Sequence, residues 1–464
     1  MQRSSSDWCT TGYPGGLHLQ TFCSGEETKT QKEKTMRKLS RSTAVGIASV
    51  VALTLAGCTS AVTETSSSES TGGSGDSAEP IEVVWAIGGA RSQPGGANQL
   101  IAQLWNENNP DIQVRIEVLP ESADEAREQV ALVQQAGGSD FDILGLDVVW
   151  TGEYVENGWL ENLSDLKPDL EAQLLPGPLE SASWAGDLWA VPLNTNTGLF
   201  YYRTDLVDSA PTTWDEVCTA AAEISDQGIG GFAGQGAKYE GFVVNWLEMY
   251  FSAGGELYNE DQSESLFDVD TAVQVTDFVR DAIDSGCFVP GYNTSKEQES
   301  RVSFQSGEAA FMRNWPGPVS LIEADTESPA NGVTAVTGLP GFGNNTGITT
   351  TGGANNAISV FSEQKEAAKE FIVWAATDEG AQNILVEAST LPVLNSIYEA
   401  EPEGTLLSQL GKSLQVAKPR PSVPTYSSIS LEIQDTMFPA VNGELDSREA
   451  AERLAEFLAG TTAG

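Results

Sequence analysis

Two asparagines in one short stretch are the side chains best suited to binding a neutral ligand. Residues 191–203 read VPLNTNTGLFYYR, so Asn194 and Asn196 would point to the same face of a strand. Each amide offers two donors and an acceptor, which suits a neutral ligand with many hydroxyl groups. The pattern leaves two interpretations open: a strand end with turn-forming Asn and Gly198, or a crossing between two lobes with the amides on the floor of a cleft.

The composition excludes several classes of chemistry. Acidic residues outnumber basic residues by 66 to 24, which gives a formal net charge of -42. Such a surface repels nucleic acid and anionic ligands over about 8–10 Å, so we expect a neutral or cationic ligand. The one histidine, His18, lies in a segment that we expect to be removed, so imidazole-based catalysis and imidazole metal sites are excluded. No phosphate-binding G-x-x-x-x-G-K-[ST] sequence occurs. We expect no metal and no cofactor, although an enzyme using two carboxylates remains possible.

The N-terminal part of the chain reads as a targeting segment followed by a tether. Met36 begins MRKLSRSTAVGIASVVALTLAGCTS, a basic segment and an apolar core that is short for a membrane span of about 20 residues. The core ends in LAGC, which resembles the lipobox of bacterial lipoproteins and implies cleavage before Cys58 and a diacylglycerol on its thiol. An ordinary signal peptide or an anchor helix is the alternative. We expect residues 1–57 to consist of an upstream extension followed by a signal peptide, with Met36 as the true start of the protein. Residues 58–80, rich in Ser, Thr and Gly, are expected to be a flexible tether.

Strand and helix patterns alternate after this tether. The apolar runs IEVVWAI and FDILGLDVVW are typical of buried strands, and IQVRIEVLP alternates at period two. Helical spacing follows the first two of these strands along the chain, in NQLIAQLWNENNP and ESADEAREQVALVQQAGG. This order predicts an α/β fold with a parallel, doubly wound sheet, in which ligands bind beyond the carboxyl ends of the strands. Asp147 closes the third strand and is expected to accept hydroxyl groups there, or alternatively to cap the next helix.

An indole and a guanidinium are further candidates for ligand binding. Trp315 stands at the end of the apolar strand FMRN and just before Pro316, so we expect it on a rigid loop. An exposed indole there offers a platform for the C–H face of a pyranose. Arg420 lies between prolines on the extended arm VAKPRPSVPTY. The alternatives are loop packing for Trp315 and a solvated surface position for Arg420.

Two cysteines are candidates for a disulfide. Cys218 and Cys287 are the only cysteines that follow Cys58. Outside the cell such a pair is expected to be bridged. Closing a loop of about 70 residues would contribute roughly 4 kcal/mol in the chain-entropy model. The spacing does not fix the distance between them, so an unbridged pair stays the alternative.

The order of segments resembles the extracellular sugar-binding proteins of ABC importers, in the maltose- and trehalose-binding group, and most of all the trehalose-binding lipoproteins of actinobacteria. The resemblance rests on GLDVVWTGEYVENGWL, WAVPLNTNTGLFYYRTDL with PTTWDE, NWLEMYFSAGGE, F-x-x-GEAAFMRNWP, GGANNAISV, EAAKEFIVWA and KPRPSVPTY, which span residues 81–460. It implies a two-lobed α/β fold of the periplasmic-binding-protein type, with three interlobe crossings. Lobe one is expected at 81–192 plus 352–395, and lobe two at 197–341 plus 405–460.

The resemblance also implies which residues contact the ligand. The acid that follows the third strand in the family corresponds to Asp147, and the polar pair at the first crossing corresponds to Asn194 and Asn196. The stacking aromatic residue corresponds to Trp315, and the guanidinium on the arm corresponds to Arg420. The Gly-Gly turn at Gly353 is followed by a Trp in archaeal relatives, whereas Ala354 and Asn355 stand here and remove one stacking surface. Gly353 and Asn355 are expected to contact the ligand from this segment. Some relatives use a polar side chain at the end of the second helix, where Gln134 or Gln135 would serve.

The resemblance implies a receptor rather than an enzyme. The expected protein is a lipid-anchored monomer on the extracellular face of the cell membrane. It would bind a neutral disaccharide, trehalose or a related α-glucoside, by lobe closure and deliver it to an ABC permease. One alternative is a binder of another solute, such as an oligosaccharide, a polyol or a glycerophosphodiester. The other is a surface glycoside hydrolase, although no two carboxylates stand at a defined spacing.

Overall fold

The structure is a computed structural model, and it describes residues 79–259, 262–402, 405–415 and 417–461. The expected signal peptide, the lipidation site at Cys58 and most of the tether lie outside the described residues. Within the described part of the chain, no helix is long and apolar enough to cross a membrane.

Strands and helices alternate along most of the described chain. The strands are β1 Ile81–Ile87, β2 Ile112–Val118, β3 Ile143–Asp147, β4 Ser183–Trp184, β5 Asp187–Leu188, β6 Ala190–Thr197, β7 Leu199–Arg203, β8 Gly230–Ala233, β9 Ala309–Asn314, β10 Thr334–Thr337 and β11 Thr351–Ile358. The first eight helices are α1 Ala97–Asn108, α2 Ala123–Gln135, α3 Thr151–Glu156, α4 Lys167–Glu171, α5 Pro176–Ser181, α6 Trp214–Ile224, α7 Glu240–Ser252 and α8 Val269–Asp284. The others are α9 Glu297–Gln305, α10 Pro318–Ala324, α11 Lys365–Thr377, α12 Glu379–Glu387, α13 Asn395–Ala400, α14 Leu406–Leu414, α15 Tyr426–Val441 and α16 Ser447–Ala459.

The first sheet has five strands in the order β2-β1-β3-β11-β6. β1 pairs in parallel with β2 and β3, as the sequence pattern predicts. β11 inserts antiparallel between β3 and β6, although it comes from much later in the chain. The core beneath this sheet is aromatic: Trp85 of β1 packs edge-on against Phe371 of α11, with ring centroids 5.2 Å apart. Because the strands are covered by helices, their apolar runs are largely buried.

The second sheet has four strands in the order β10-β7-β9-β8. β6 and β7 are separated by one residue, Gly198, so the chain leaves the first sheet and enters the second at this point. It returns to the first sheet between β10 and β11. Stacked rings fill the core of the second sheet, where Phe200 lies 6.3 Å from Phe232 and 5.6 Å from Phe311. The described chain thus forms two α/β lobes, each built on its own sheet.

Polar side chains fix where several helices begin. α6 starts with a capping box, in which the Thr213 hydroxyl accepts from the Glu216 N–H at 3.2 Å and the Glu216 carboxylate accepts from the Thr213 N–H at 3.3 Å. Asp268 caps α8, accepting from Thr271 N–H at 2.7 Å, and Asp378 caps α12 in the same way. Each cap is worth about 1 kcal/mol, because it satisfies a backbone donor that has no partner within the helix.

A disulfide joins α6 to the segment that follows α8 in the second lobe. Cys218 lies in α6 and Cys287 follows α8, and their Cα atoms are 4.9 Å apart. The carbonyl of Cys287 accepts a hydrogen bond from Phe232 N–H of β8 at 2.9 Å. This is the pair that the sequence led us to expect as bridged, and it links α6 to the segment beside β8.

Candidate ligand-binding cleft

The strand register brings several expected site residues to one edge of the first sheet. Ala354 of β11 pairs with Asp147 of β3 on one side and with Asn194 of β6 on the other. Asp147 and Asn194 are therefore two strands apart, which corresponds to about 10 Å. This edge contains the carboxyl ends of β1 and β3, where a doubly wound sheet presents its ligand site.

A cavity of about 1240 Å³ lies beside this edge, between side chains of the two lobes. Residues of β6, of β11 and of the Pro-flanked arm line it, among them Asn194, Thr195, Gly352 and Arg420. Its other walls include aromatic and polar residues of both lobes, among them Trp184, Tyr258, Asn259, Tyr398 and Lys412. Small-molecule sites usually measure roughly 300–1,000 Å³, so the cavity has room for a sugar together with water.

Arg420 connects the two lobes at this cavity. Its guanidinium donates to Asp147 at 2.8 Å, at the end of β3, and to Glu240 at 2.6 Å, at the start of α7. Only 1% of the Arg420 side chain is exposed, which rules out the alternative of a solvated surface arginine. Because α7 is buried along its whole length, Glu240 needs such a partner, and it also accepts from the hydroxyls of Tyr426 and Ser430.

The charge on Arg420 is held by these two carboxylates. Burial alone would lower the pKa of Arg420, but the charges of Asp147 and Glu240 outweigh it and raise that pKa above its ordinary value. The guanidinium therefore stays protonated. Its Nε has no hydrogen-bond partner among the described residues, so one donor of a cavity-lining side chain is left unpaired.

Asp147 has a second contact besides Arg420. Its carboxylate accepts from the N–H of Val149 at 3.2 Å, within the turn that precedes α3. The first residue before α3 is Trp150, and no side chain caps that helix. The alternative role of Asp147 as a helix cap is therefore not found, and its carboxylate serves the turn and the guanidinium of Arg420.

The paired asparagines lie on a strand rather than in a turn. β6 continues through Asn194 and Asn196 to Thr197, and both asparagines are buried. Asn194 pairs with Ala354 of β11 and Asn196 pairs with Gly352, so the two asparagines lie on the same face of the strand, as their spacing predicts. The Oδ1 atom of Asn196 has no partner among the described residues.

Arg91 is a residue of this site that sequence reasoning missed. It lies in the short 3₁₀ turn Ala90–Ser92 after β1 and donates from Nη2 to the Oδ1 of Asn194 at 3.2 Å. Its Nε has no partner in the described part of the chain, and burial lowers the pKa of Arg91 to about 10. The available signal was its position directly beyond the carboxyl end of the first parallel strand, where such sheets bind ligands.

Trp315 lies against residues of β6 and β11. A Cβ added to Gly352 would come within 2.9 Å of the indole and within 3.6 Å of the Cβ of Asn196, so the glycine makes room for the ring. Another neighbour is Arg313, whose guanidinium carbon is 4.1 Å from the centre of the indole. Trp315 is half-buried and is not part of the cavity lining, so it stands next to Asn196 and Gly352 rather than in the cavity wall.

The structure places three other expected residues outside direct reach of the cavity. Gly353 has φ 142°, and a Cβ there would lie 2.4 Å from the carbonyl oxygen of Asn194, so this glycine permits close strand pairing. Asn355 donates to the Ser181 carbonyl at 3.0 Å, inside lobe one. Gln134 accepts from the Ser359 hydroxyl at 2.8 Å, just beyond the end of β11 that lies away from the cavity. None of the three lines the cavity, although Ser181, the partner of Asn355, does, so their ligand contacts stay predictions.

Comparison with known proteins gives the class of this protein. Residues 90–382 match the family of bacterial extracellular solute-binding proteins, and the chain belongs to that family. Within the described residues, no group of three or more His, Cys, Asp or Glu side chains could hold a metal ion.

Several individual proteins are similar over most of their length. A probable ABC transporter-binding protein of Deinococcus radiodurans is 28% identical over 75% of this chain and 86% of its own length. A mannitol-binding protein of Pseudomonas aeruginosa is 23% identical over 76% of this chain and 87% of its own. The structure of maltose-bound MalE3 of T. maritima is 33% identical, with a TM-score of 0.76 over 82% of this chain and 99% of that one. The predicted two-lobed α/β fold is confirmed by this match.

Proposed function

We propose that this protein is the sugar-binding component of an ABC importer, which captures a neutral sugar between its lobes and delivers it to the permease. The observation that carries the proposal is Arg420, which is paired to both lobes, lines the cavity and keeps an unpaired Nε. The similarity to a maltose-bound structure at 33% identity supports a sugar as the ligand.

The unpaired atoms near the cavity suit hydroxyl groups. Arg91 and Arg420 each hold a buried, unpaired Nε–H donor, and Asn196 holds a buried, unpaired carbonyl acceptor. Of these residues Arg420 lines the cavity, and Arg91 is bonded to Asn194, which also lines it. Leaving a buried polar atom unpaired costs about 1–3 kcal/mol, so a ligand that supplies partners is favoured. Sugar hydroxyls both donate and accept, so a ligand with several of them can supply partners of both kinds. A phosphodiester would instead bring negative charge next to Asp147 and Glu240, which already neutralise Arg420.

Contacts between the lobes describe how closure would be stabilised. Besides Arg420, the carboxylate of Asp124 in α2 accepts from the Glu240 N–H at 3.1 Å and from the Gln434 amide at 3.3 Å. The Glu153 carboxylate of lobe one accepts from the Ser427 hydroxyl of α15. Ligand binding would shift the population toward the state that makes these contacts.

The finer features of the proposal come from the sequence. We propose trehalose or a related α-glucoside as the ligand, a lipid anchor at Cys58 on the extracellular face of the cell membrane, and a monomeric protein that does not alter its ligand. The lobe boundaries proposed are 81–192 plus 352–395 and 197–341 plus 405–460. The resemblance to a mannitol-binding protein keeps a polyol as the second candidate ligand.

A thermal-shift screen tests the proposal. The purified protein is heated with maltose, trehalose, maltotriose, mannitol or glycerophosphocholine at concentrations up to about 100 times a micromolar Kd. At that ratio a ligand that binds only the folded state adds about 2.7 kcal/mol to its stability, which gives a clear rise in Tm. We expect maltose or trehalose to raise Tm. A rise with mannitol alone would favour the polyol, and no rise with any neutral sugar would refute the proposal.

A further inference from the structure

One buried ion pair in the second lobe contacts two crossings between the sheets: the first at Gly198, between β6 and β7, and the second between β10 and β11. Glu248 of α7 and Arg313 of β9 form two parallel hydrogen bonds of 2.7 Å each, and both side chains are only 2% exposed. The remaining guanidinium nitrogen, Nη1, donates to the Oε1 of Gln235 at 3.0 Å. Every nitrogen of this guanidinium is therefore paired, which fixes its position.

The second crossing is bound to this pair. The Oε1 of Glu248 accepts from the N–H of Thr350 at 3.1 Å, from its hydroxyl at 3.2 Å, and from the hydroxyl of Thr349 at 3.1 Å. These two threonines immediately precede β11, which is the return of the chain to the first sheet. A carboxylate in lobe two thus holds the backbone of the segment that leads into lobe one.

The first crossing packs onto the same pair. Gly198, between β6 and β7, has no room for a side chain, because a Cβ there would lie 2.5 Å from the Oε1 of Glu248 and 2.7 Å from the Nη2 of Arg313. The neighbouring hydroxyl of Thr197 donates to that of Thr349 at 3.2 Å, which joins the two crossings to each other. Both connections between the sheets therefore meet at one ion pair.

The same guanidinium also contacts the candidate stacking residue. The Arg313 guanidinium carbon lies 4.1 Å from the centre of the Trp315 indole, a distance typical of a cation–π contact. The backbone after β9 is held as well, because the Tyr201 hydroxyl donates to the Pro316 carbonyl at 3.2 Å. Arg313 therefore supports one face of the indole, and the indole borders Gly352 of the second crossing.

We propose that Glu248 and Arg313 are positioning residues that couple the orientation of Trp315 to the geometry of the first two crossings. A rotation of the lobes displaces Thr349, Thr350 and Gly198, and the ion pair transmits that displacement to the indole. Closure then presents the ring to a sugar in one orientation. The inference rests on the proposed function, since it assumes that a sugar in the cavity reaches past Gly352, which lines the cavity, to the indole that packs against this glycine.

Arginine is required at position 313 for a geometric reason. A lysine would keep the positive charge but would lose the planar fork that binds Glu248 through two nitrogens and stacks on the indole. Arg313→Lys therefore removes the positioning while leaving the charge. Thr350→Val is a milder variant, because it deletes one hydroxyl that donates to Glu248 and retains the ion pair.

A double-mutant cycle measured by calorimetric titration with maltose and trehalose tests the inference. The Kd values of the full chain, Arg313→Lys, Trp315→Ala and the combined variant are compared. We expect Arg313→Lys to weaken binding roughly tenfold in the unsubstituted background and less than about twofold when Trp315 is absent, as for coupled neighbours. An equal loss in both backgrounds would mean a general effect on the fold and would overturn the inference, as would no loss in either.

Two further measurements keep the outcome interpretable. If Arg313→Lys does not fold, Thr350→Val is placed in the same cycle, and a loss that persists at equal size in the Trp315→Ala background overturns the inference. The unsubstituted protein is titrated first. If it binds neither sugar, the proposed function fails together with this inference. Normal binding with parallel losses overturns the inference alone.

Discussion

Replacing Arg420 with alanine removes a side chain that pairs with carboxylates of both lobes at the cavity. In the structure it binds Asp147 at 2.8 Å and Glu240 at 2.6 Å, and it is almost fully buried. We expect Arg420→Ala to weaken sugar binding strongly, because the closed state loses a charged contact between the lobes and a donor to the ligand.

The size of the effect follows from what remains around the two carboxylates. Removing one partner of a buried ion pair costs about 3–5 kcal/mol, because the other charge is left uncompensated. Here Glu240 keeps the hydroxyl donors of Tyr426 and Ser430, and the Asp147 side chain is 23% exposed, so water can reach it. The loss should therefore lie near the lower end, about 3 kcal/mol, which is roughly a 150-fold increase in Kd.

Calorimetric titration with maltose and trehalose measures this change, and Arg115→Ala is the matched control. Arg115 also pairs with two carboxylates, those of Glu82 and Glu117, but its side chain is 50% exposed and its ion pairs lie on the surface. Surface pairs contribute about 0–1 kcal/mol, so the control should bind like the unsubstituted protein. If Arg420→Ala stays folded and its Kd remains within twofold of the control, Arg420 does not hold the closed, liganded state.

Three further changes have expected outcomes. Asn196→Ala should weaken sugar binding by about 1–2 kcal/mol in the same titration, because the ligand loses the amide whose Oδ1 is unpaired in the structure. Burial raises the pKa of Asp124 above its ordinary 3.8, so protonation favours the folded form. This stabilisation is present below about pH 4 and is lost as pH rises through the raised pKa, and Asp124→Asn should remove it from a plot of Tm against pH. Reducing the bond between Cys218 and Cys287 should lower the free energy of unfolding by about 2–5 kcal/mol, measured by urea denaturation.

Each of these expectations can fail in its own way. Unchanged affinity in Asn196→Ala would mean that the amide faces away from the ligand. Identical pH profiles of Tm with and without Asp124 would show that its carboxylate is not desolvated between the lobes. Equal urea midpoints for oxidised and reduced protein would show that the bridge between α6 and the segment after α8 does not stabilise the second lobe.

The parts of the fold that depend on local patterns could be predicted from the sequence. The runs that became β1, β2 and β3 are apolar or alternate at period two, and the helices between them carry a clear stripe, so the parallel start of the sheet follows. The spacing of Asn194 and Asn196 likewise fixed their common face once β6 was a strand. Asp147 was expected at a strand end because its strand was recognisable.

Features that depend on long-range pairing could not be predicted. β11 is rich in glycine and asparagine, so its sequence has a weak strand pattern. It nevertheless lies at an interior position of the first sheet, because its pairing with β3 and β6 outweighs its local preference. Gln134 and Asn355 were expected from the family resemblance, but the packing of lobe one directs their side chains to Ser359 and Ser181. The partnership of Glu248 with Arg313 joins residues 65 positions apart and leaves no local signal.

The most direct test of sugar capture is equilibrium dialysis with radiolabelled maltose and trehalose, followed by chromatography of the label recovered from the protein. We expect saturable binding of at least one sugar at one site per chain, with a Kd near the micromolar range, or about -8 kcal/mol, and recovery of the intact disaccharide. Absence of saturable binding up to about 1 mM, or recovery of the label as glucose, would contradict a receptor that takes up a neutral sugar between its lobes and releases it unaltered.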